Sequence, residues 1–271
     1  MYRRILIPVN GPAEVEPMIR FAAQLLEADG EIRVLHIIPT TTLPAVTRQW
    51  RESVHIVVPA HEAGAALDVR VDPEVRASTD VVGEILESAE THGVEAIMMT
   101  LSGDKRSRNP FVGHTASALL HHAPCDVLVV NRLGLAEDRF QRILVPAFGP
   151  TAPPKAMRLA EEIAVRHHGI PIVTLHLGPG GAPPSPVERS PRGVPIRHRP
   201  HLGGGLFSRG RQRMADVILK EAAEERYGLL LVGEESSDAE GSAGSDGARI
   251  TRRFLEELFR GAPCPVIAVR G

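Results

Sequence analysis

Arg4-Ile5-Leu6-Ile7-Pro8-Val9-Asn10-Gly11-Pro12 comes back along the chain as Arg142-Ile143-Leu144-Val145-Pro146-Ala147-Phe148-Gly149-Pro150. Arg142 follows Arg4 by 138 residues, Ala262-Pro263-Cys264 follows Ala123-Pro124-Cys125 by 139, and Leu175-His176 follows Leu35-His36 by 140. Three anchors at nearly one offset describe a whole domain copied in tandem, not a short solenoid repeat. Two copies of one site have been free to diverge, so their differences bear on which copy can still do chemistry. The repeated stretch is itself a short, almost wholly apolar run. Such runs suit strands buried on both faces of a parallel sheet.

Working outward, Met18, Phe21, Ala22 and Leu25 fall at helical spacing, with Pro17 in the first turn and Gly30 ending the helix. Residues 32–38 read as a second strand, 45–61 as a helix and 67–75 as a third strand. Val82, Ile85, Leu86 and Ala89 predict another helix closed by Gly93, residues 96–99 a fourth strand, Ala116, Leu119, Leu120 and Ala123 a last helix, and 127–130 a fifth strand. The second half repeats the plan. Its strands fall at 143–145, 172–177, 229–232 and 266–269, and its helices carry Leu159, Ala160 and Ile163, then Met214, Val217, Ile218 and Ala222, then Leu255, Leu258 and Phe259. Residues 178–193 are rich in Pro, Gly and Ser, so a loop replaces the second helix there. Strand and helix alternate, which implies right-handed crossovers and a parallel sheet. We place the domains at 1–133 and 139–271, joined by a short linker.

The 271 residues are 43% hydrophobic and 24% charged, enough for two domains with real cores. A net charge of -2 gives no electrostatic case for nucleic acid, and 4% aromatic residues argue against base-stacking platforms. No apolar stretch approaches the roughly 20 residues that cross a bilayer, so no membrane insertion is expected and a cytoplasmic location is. Two cysteines make no disulfide framework.

The pieces "RILIPVNG", "VLHII" and "HAPCDVLVV", in that order, resemble the universal stress protein family in its tandem two-domain form. The resemblance implies an α/β fold of two doubly wound five-stranded parallel sheets, order 3-2-1-4-5, packed as an intramolecular pseudo-dimer through 127–130 and 266–269. It also implies ATP binding in many members, through Gly-x2-Gly-x9-Gly-Ser/Thr after strand four and an Asp after strand one. The physics fits: ligands sit where strand order reverses, glycines admit phosphate to the backbone, and a helix N-terminus supplies free N–H groups.

Half one keeps part of the motif. Gly103 and Gly113 hold the spacing, Thr100 stands for the first glycine, His114 for the Ser/Thr with Thr115 next, and Asn10 for the Asp. Ile37 matches the apolar position that lines the base pocket, and Lys105, Arg106 and Arg108 favour an anion. Half two has lost more. Gly233 remains, but Ser236, Arg252 and Phe148 replace the second glycine, the third glycine and the Asp, and Glu234, Glu235, Asp238, Glu240 and Asp246 repel phosphate. The expected nucleotide-binding residues are therefore Asn10, Ile37, Thr100, Gly103, Gly113, His114 and Thr115, with ATP or another adenine nucleotide as the ligand.

Other candidates are weaker. Gly203-Gly204-Gly205 with Arg209, Arg211 and Arg213 lacks a strand entry and a Gly-Lys-Ser/Thr ending, so it reads as a basic loop. The 12 histidines do not fall at metal-ligand spacings, His36 and His176 read as packed strand ends, and Cys125 and Cys264 as small buried residues. No catalytic set can be assembled, so no enzyme activity and no metal are expected. The function expected is a stress-response or regulatory binding protein. Its partners are a second copy or a protein such as a membrane transporter. The alternative is an interaction module that has lost nucleotide binding.

Overall fold

In the computed structural model the chain divides into two compact units, Met1–Ala136 and Glu137–Gly271. The structure describes residues 1–39, 47, 50–100, 114–130, 140–148, 151–177, 187–200, 212–233 and 252–269.

The first unit opens with β1 (Tyr2–Val9), whose Ile5, Leu6 and Ile7 are wholly buried. Side chains of this size each contribute about 1.5–3 kcal/mol when fully buried. Helix α1 (Pro12–Ala23) follows, with Gly11 extended at its N-cap and Val15, Met18, Ile19, Phe21 and Ala22 turned inward. Pro12 takes the first helical position, so Pro17 lies in the helix interior rather than in the first turn. Nor does Gly30 end the helix. The chain leaves α1 after Ala23 and enters β2 (Leu26–Pro39) at once. Tyr2 pairs with Leu26 but Arg4 with Glu31, so β2 carries extra residues against β1. Gly30 sits in that irregular stretch, where a Cβ would lie 2.5 Å from Leu26 Cγ and 3.1 Å from the Arg3 carbonyl oxygen.

Helix α2 (Val54–Leu67) runs past the expected end at residue 61. It closes through Asp68 in the left-handed region, φ 54°, with the Val69 N–H on the Gly64 carbonyl at 3.0 Å. Leu67 is thus the last helical residue, and the third strand, β3 (Arg70–Ser78), starts three residues later than its alternating pattern suggested. Helix α3 (Val81–Thr91) is capped by Asp80, which accepts from the Gly83 N–H at 2.9 Å, and Gly93 follows it at φ 56°. The unit ends with β4 (Ala96–Thr100), α4 (His114–His122) and β5 (Asp126–Val130). All pairings are parallel in the order β3-β2-β1-β4-β5, so strand order reverses between β1 and β4. At the opposite, N-terminal edge, the buried Tyr2 hydroxyl donates to Asp126 Oδ2 at 2.9 Å, tying β1 to β5.

The second unit contains β6 (Ile143–Ala147), α5 (Pro154–Arg166), β7 (Ile172–His176), β8 (Val187–Arg189), β9 (Pro195–Pro200), α6 (Gln212–Glu224), β10 (Leu229–Gly233), α7 (Arg252–Gly261) and β11 (Val266–Val269). Within the unit the order is β11-β10-β6-β7-β9-β8. The reversal recurs between β6 and β10, but the described residues of this unit form six strands rather than five. β9 fills the third-strand place parallel to β7, and β8 adds an antiparallel edge. The expected 178–193 loop is therefore part strand: residues 187–193 belong to a hairpin that turns at Gly193, φ 79°, while 178–186 lie outside the described residues. Its strands were hard to see because Pro195 and Pro200 bracket β9, and only Ile196 in it is buried. Proline at strand ends and charge along the face mark an edge.

Candidate functional site

The C-terminal ends of β1 and β4 flank the reversal in the first unit. Asn10 leaves β1 there, exposed, and Thr100 ends β4, half-buried. A third residue joins them. Glu14, in the first turn of α1, accepts the Asn10 backbone N–H at Oε2 (3.1 Å) and the Thr100 hydroxyl at Oε1 (2.9 Å). A carboxylate there also faces the positive end of the helix dipole. Nothing in the glycine spacing pointed to Glu14. The signal available was an acid at the third helical position, where side chains turn back to the amides before the helix.

Ile37 lies on β2, one residue beyond the Val9–His36 register pair, and is buried. The neighbouring His36 ring is held by a 3.1 Å contact between Nδ1 and the Val9 carbonyl oxygen, as a packed strand-end histidine should be. His114 opens α4 and Thr115 follows it, half-buried. Gly103 and Gly113, with Lys105, Arg106 and Arg108, lie outside the described residues. Of the seven expected residues the structure thus joins two, Asn10 and Thr100, through a residue not expected at all.

The second unit repeats the position with other contents. Leu229 pairs with Ile143 as Ala96 pairs with Ile5, so Gly233 stands where Thr100 does. A Cβ on Gly233 would lie 2.6 Å from Pro153 Cβ and 3.1 Å from Ala156 Cβ. The start of α5 therefore rests directly on the end of β10. Phe148, in the place of Asn10, meets Phe254 of α7 edge to face, ring centroids 5.5 Å apart. Apolar packing occupies the reversal that in the first unit holds hydrogen-bonding groups.

A separate polar cluster lies across β7, β9 and β8. Thr174 Oγ1 is 3.1 Å from His176 Nε2 and 2.7 Å from His198 Nδ1, and His198 Nε2 is 3.1 Å from Glu188 Oε1. Hydroxyl, imidazole and carboxylate line up in the order used by hydrolases. Thr174 is wholly buried, so it presents no nucleophile to solvent. Among the described residues no group of three His, Cys, Asp or Glu side chains is placed to hold a metal, and no helix is long and apolar enough to cross a membrane. Cys125 and Cys264 are both buried thiols.

The sequence profile of the universal stress protein family matches residues 1–131. The first half of the chain is a universal stress protein domain. A Staphylococcus haemolyticus protein bearing that family name is 27% identical over 157 residues, covering 54% of this chain and 95% of the relative. A universal stress protein solved from Archaeoglobus fulgidus matches with a TM-score of 0.69 at 15% identity, covering 98% of this chain and 96% of its own. A Pseudomonas aeruginosa chain solved under the same family name gives 0.61 at 15% identity, over 99% and 93%. At such identity the likeness is one of fold, and it takes in residues of both halves. In universal stress protein terms, the departures of this chain are Asn10 and Thr100 in the first half, bridged by Glu14, and the packed reversal in the second.

Proposed function

We propose that this universal stress protein acts by binding an adenine nucleotide at the β1–β4 reversal of its first unit, and that its second unit binds none. The observation that carries this reading is the contrast between the two reversals. One offers an exposed Asn10, a fixed carboxylate and a threonine hydroxyl; the other is filled by Phe148 on Phe254 and Pro153 on Gly233. The Gly103–Gly113 spacing with its basic residues adds to it. The role is regulatory rather than catalytic: ligand occupancy changes what the protein binds, not what it turns over.

The test is direct. Protein purified without added ligand is denatured and its supernatant resolved by chromatography, and the apo chain is titrated with adenine compounds by calorimetry. A saturable heat with one ligand per chain supports the reading. No heat and no thermal shift at millimolar concentrations of adenosine, AMP and ATP removes it. In that event the replacements at Thr100 and His114 favour the second reading, an interaction module for a second copy or a membrane transporter, to be sought by copurification.

A further inference from the structure

We propose that Glu14 makes the first-unit crevice discriminate by ligand charge, taking adenosine or a monophosphate in preference to a triphosphate. The inference rests on the reading above and names the class of ligand that site accepts.

Glu14 is hydrogen-bonded to both sides of the reversal, and the two donors are neutral: a backbone amide from Asn10 and the hydroxyl of Thr100. Neither cancels its charge. They do fix its position, because one oxygen is tied to the end of β1 and the other to the end of β4. A carboxylate offers about four acceptor sites. Described residues use two, and the remaining lone pairs suit a ligand that brings donors, such as a ribose diol or an exocyclic amine. Phosphate brings only acceptors and negative charge.

The Thr100 contact decides which part of the ligand meets this charge. Thr100 occupies the first position of the phosphate-loop spacing, where a glycine would let phosphate approach the backbone. Here a side chain stands in that space and holds Glu14 beside it at 2.9 Å. The carboxylate is thus tied to the residue that stands for the first glycine of the spacing as well as to Asn10. The repulsion from Glu14 grows with each added phosphate and falls with added salt, and it works against the attraction of Lys105, Arg106 and Arg108, which lie outside the described residues. The second unit has no counterpart: Gly233 bears no hydroxyl, and Pro153 lies against it.

The experiment is calorimetry on the full chain with adenosine, AMP and ATP in EDTA, at low and high salt. It is run on the parent protein and on Glu14→Gln, Thr100→Ser and Thr100→Gly, with thermal melts to confirm folding. The parent should bind adenosine or AMP at least about tenfold tighter than ATP, a gap that narrows as salt screens the repulsion. E14Q should close most of that gap and T100G should narrow it, while T100S, which keeps the hydroxyl, should preserve it. If E14Q does not fold, the salt dependence of the parent's ratio decides instead. Tighter binding of ATP than of adenosine by the parent, or an unchanged ratio in E14Q, overturns this inference and leaves the proposed function standing. Absence of binding by all three ligands overturns both.

Discussion

Gly233 has no room for a methyl group. Its missing Cβ would meet Pro153 Cβ at 2.6 Å, and a proline ring at the start of a helix cannot swing aside. Gly233→Ala should therefore lower stability by about 1–3 kcal/mol, the ordinary cost of overpacking, seen as a fall in melting temperature. Tyr2 gives a second test. Burial first, and the Asp126 carboxylate second, push its hydroxyl well above the usual phenol range. The folded chain keeps this proton where an unfolded tyrosine, near pH 10, gives it up. Its contribution is complete below pH 10 and is lost as pH climbs above it. Tyr2→Phe should cost about 1–3 kcal/mol at neutral pH, because a buried carboxylate loses a donor. It should also flatten the alkaline fall in melting temperature relative to the parent.

At the scale of elements, β9 and α6 are joined by charge. Arg199 reaches Glu225 at 3.1 Å and also pairs with Glu221, while Arg142, just before β6, reaches Glu225 at 2.8 Å. Arg142 first, then Arg199, hold the Glu225 carboxyl below the usual range. A lowered carboxylate stabilises above the unfolded value of 4.5 and loses that contribution as pH falls through its folded value. Glu225→Gln should leave a shallower loss of melting temperature between pH 5 and pH 3 than the parent shows. The same region marks the limit of what the sequence made legible. The two Arg-Ile-Leu openings disclosed strand, helix and repeat, because a strand buried on both faces must be apolar throughout. The β8–β9 hairpin escaped because an edge needs only one buried residue, Ile196, and its prolines look like loop signals. Gly30 misled for a related reason: a glycine that admits a neighbouring strand looks the same as one that stops a helix. Glu14 was invisible as a site residue because its role depends on Thr100, 86 positions away.

For the whole molecule, the proposed function implies a single count: one adenine ligand per chain. Replacing Phe148 by Asn should not raise that number to two. It should remove the edge-to-face contact with Phe254, at a cost of about 0.5–1.5 kcal/mol beyond the lost burial, and leave binding in the first half as it was. The seat of Pro153 on Gly233 explains why. The amino-terminal end of α5 lies against Gly233, and it is held there by a different pair of elements from those that hold the aromatic contact. Undoing either contact alone leaves the other in place. The packed reversal of the second unit therefore rests on two separate supports, and opening it calls for substitutions at both.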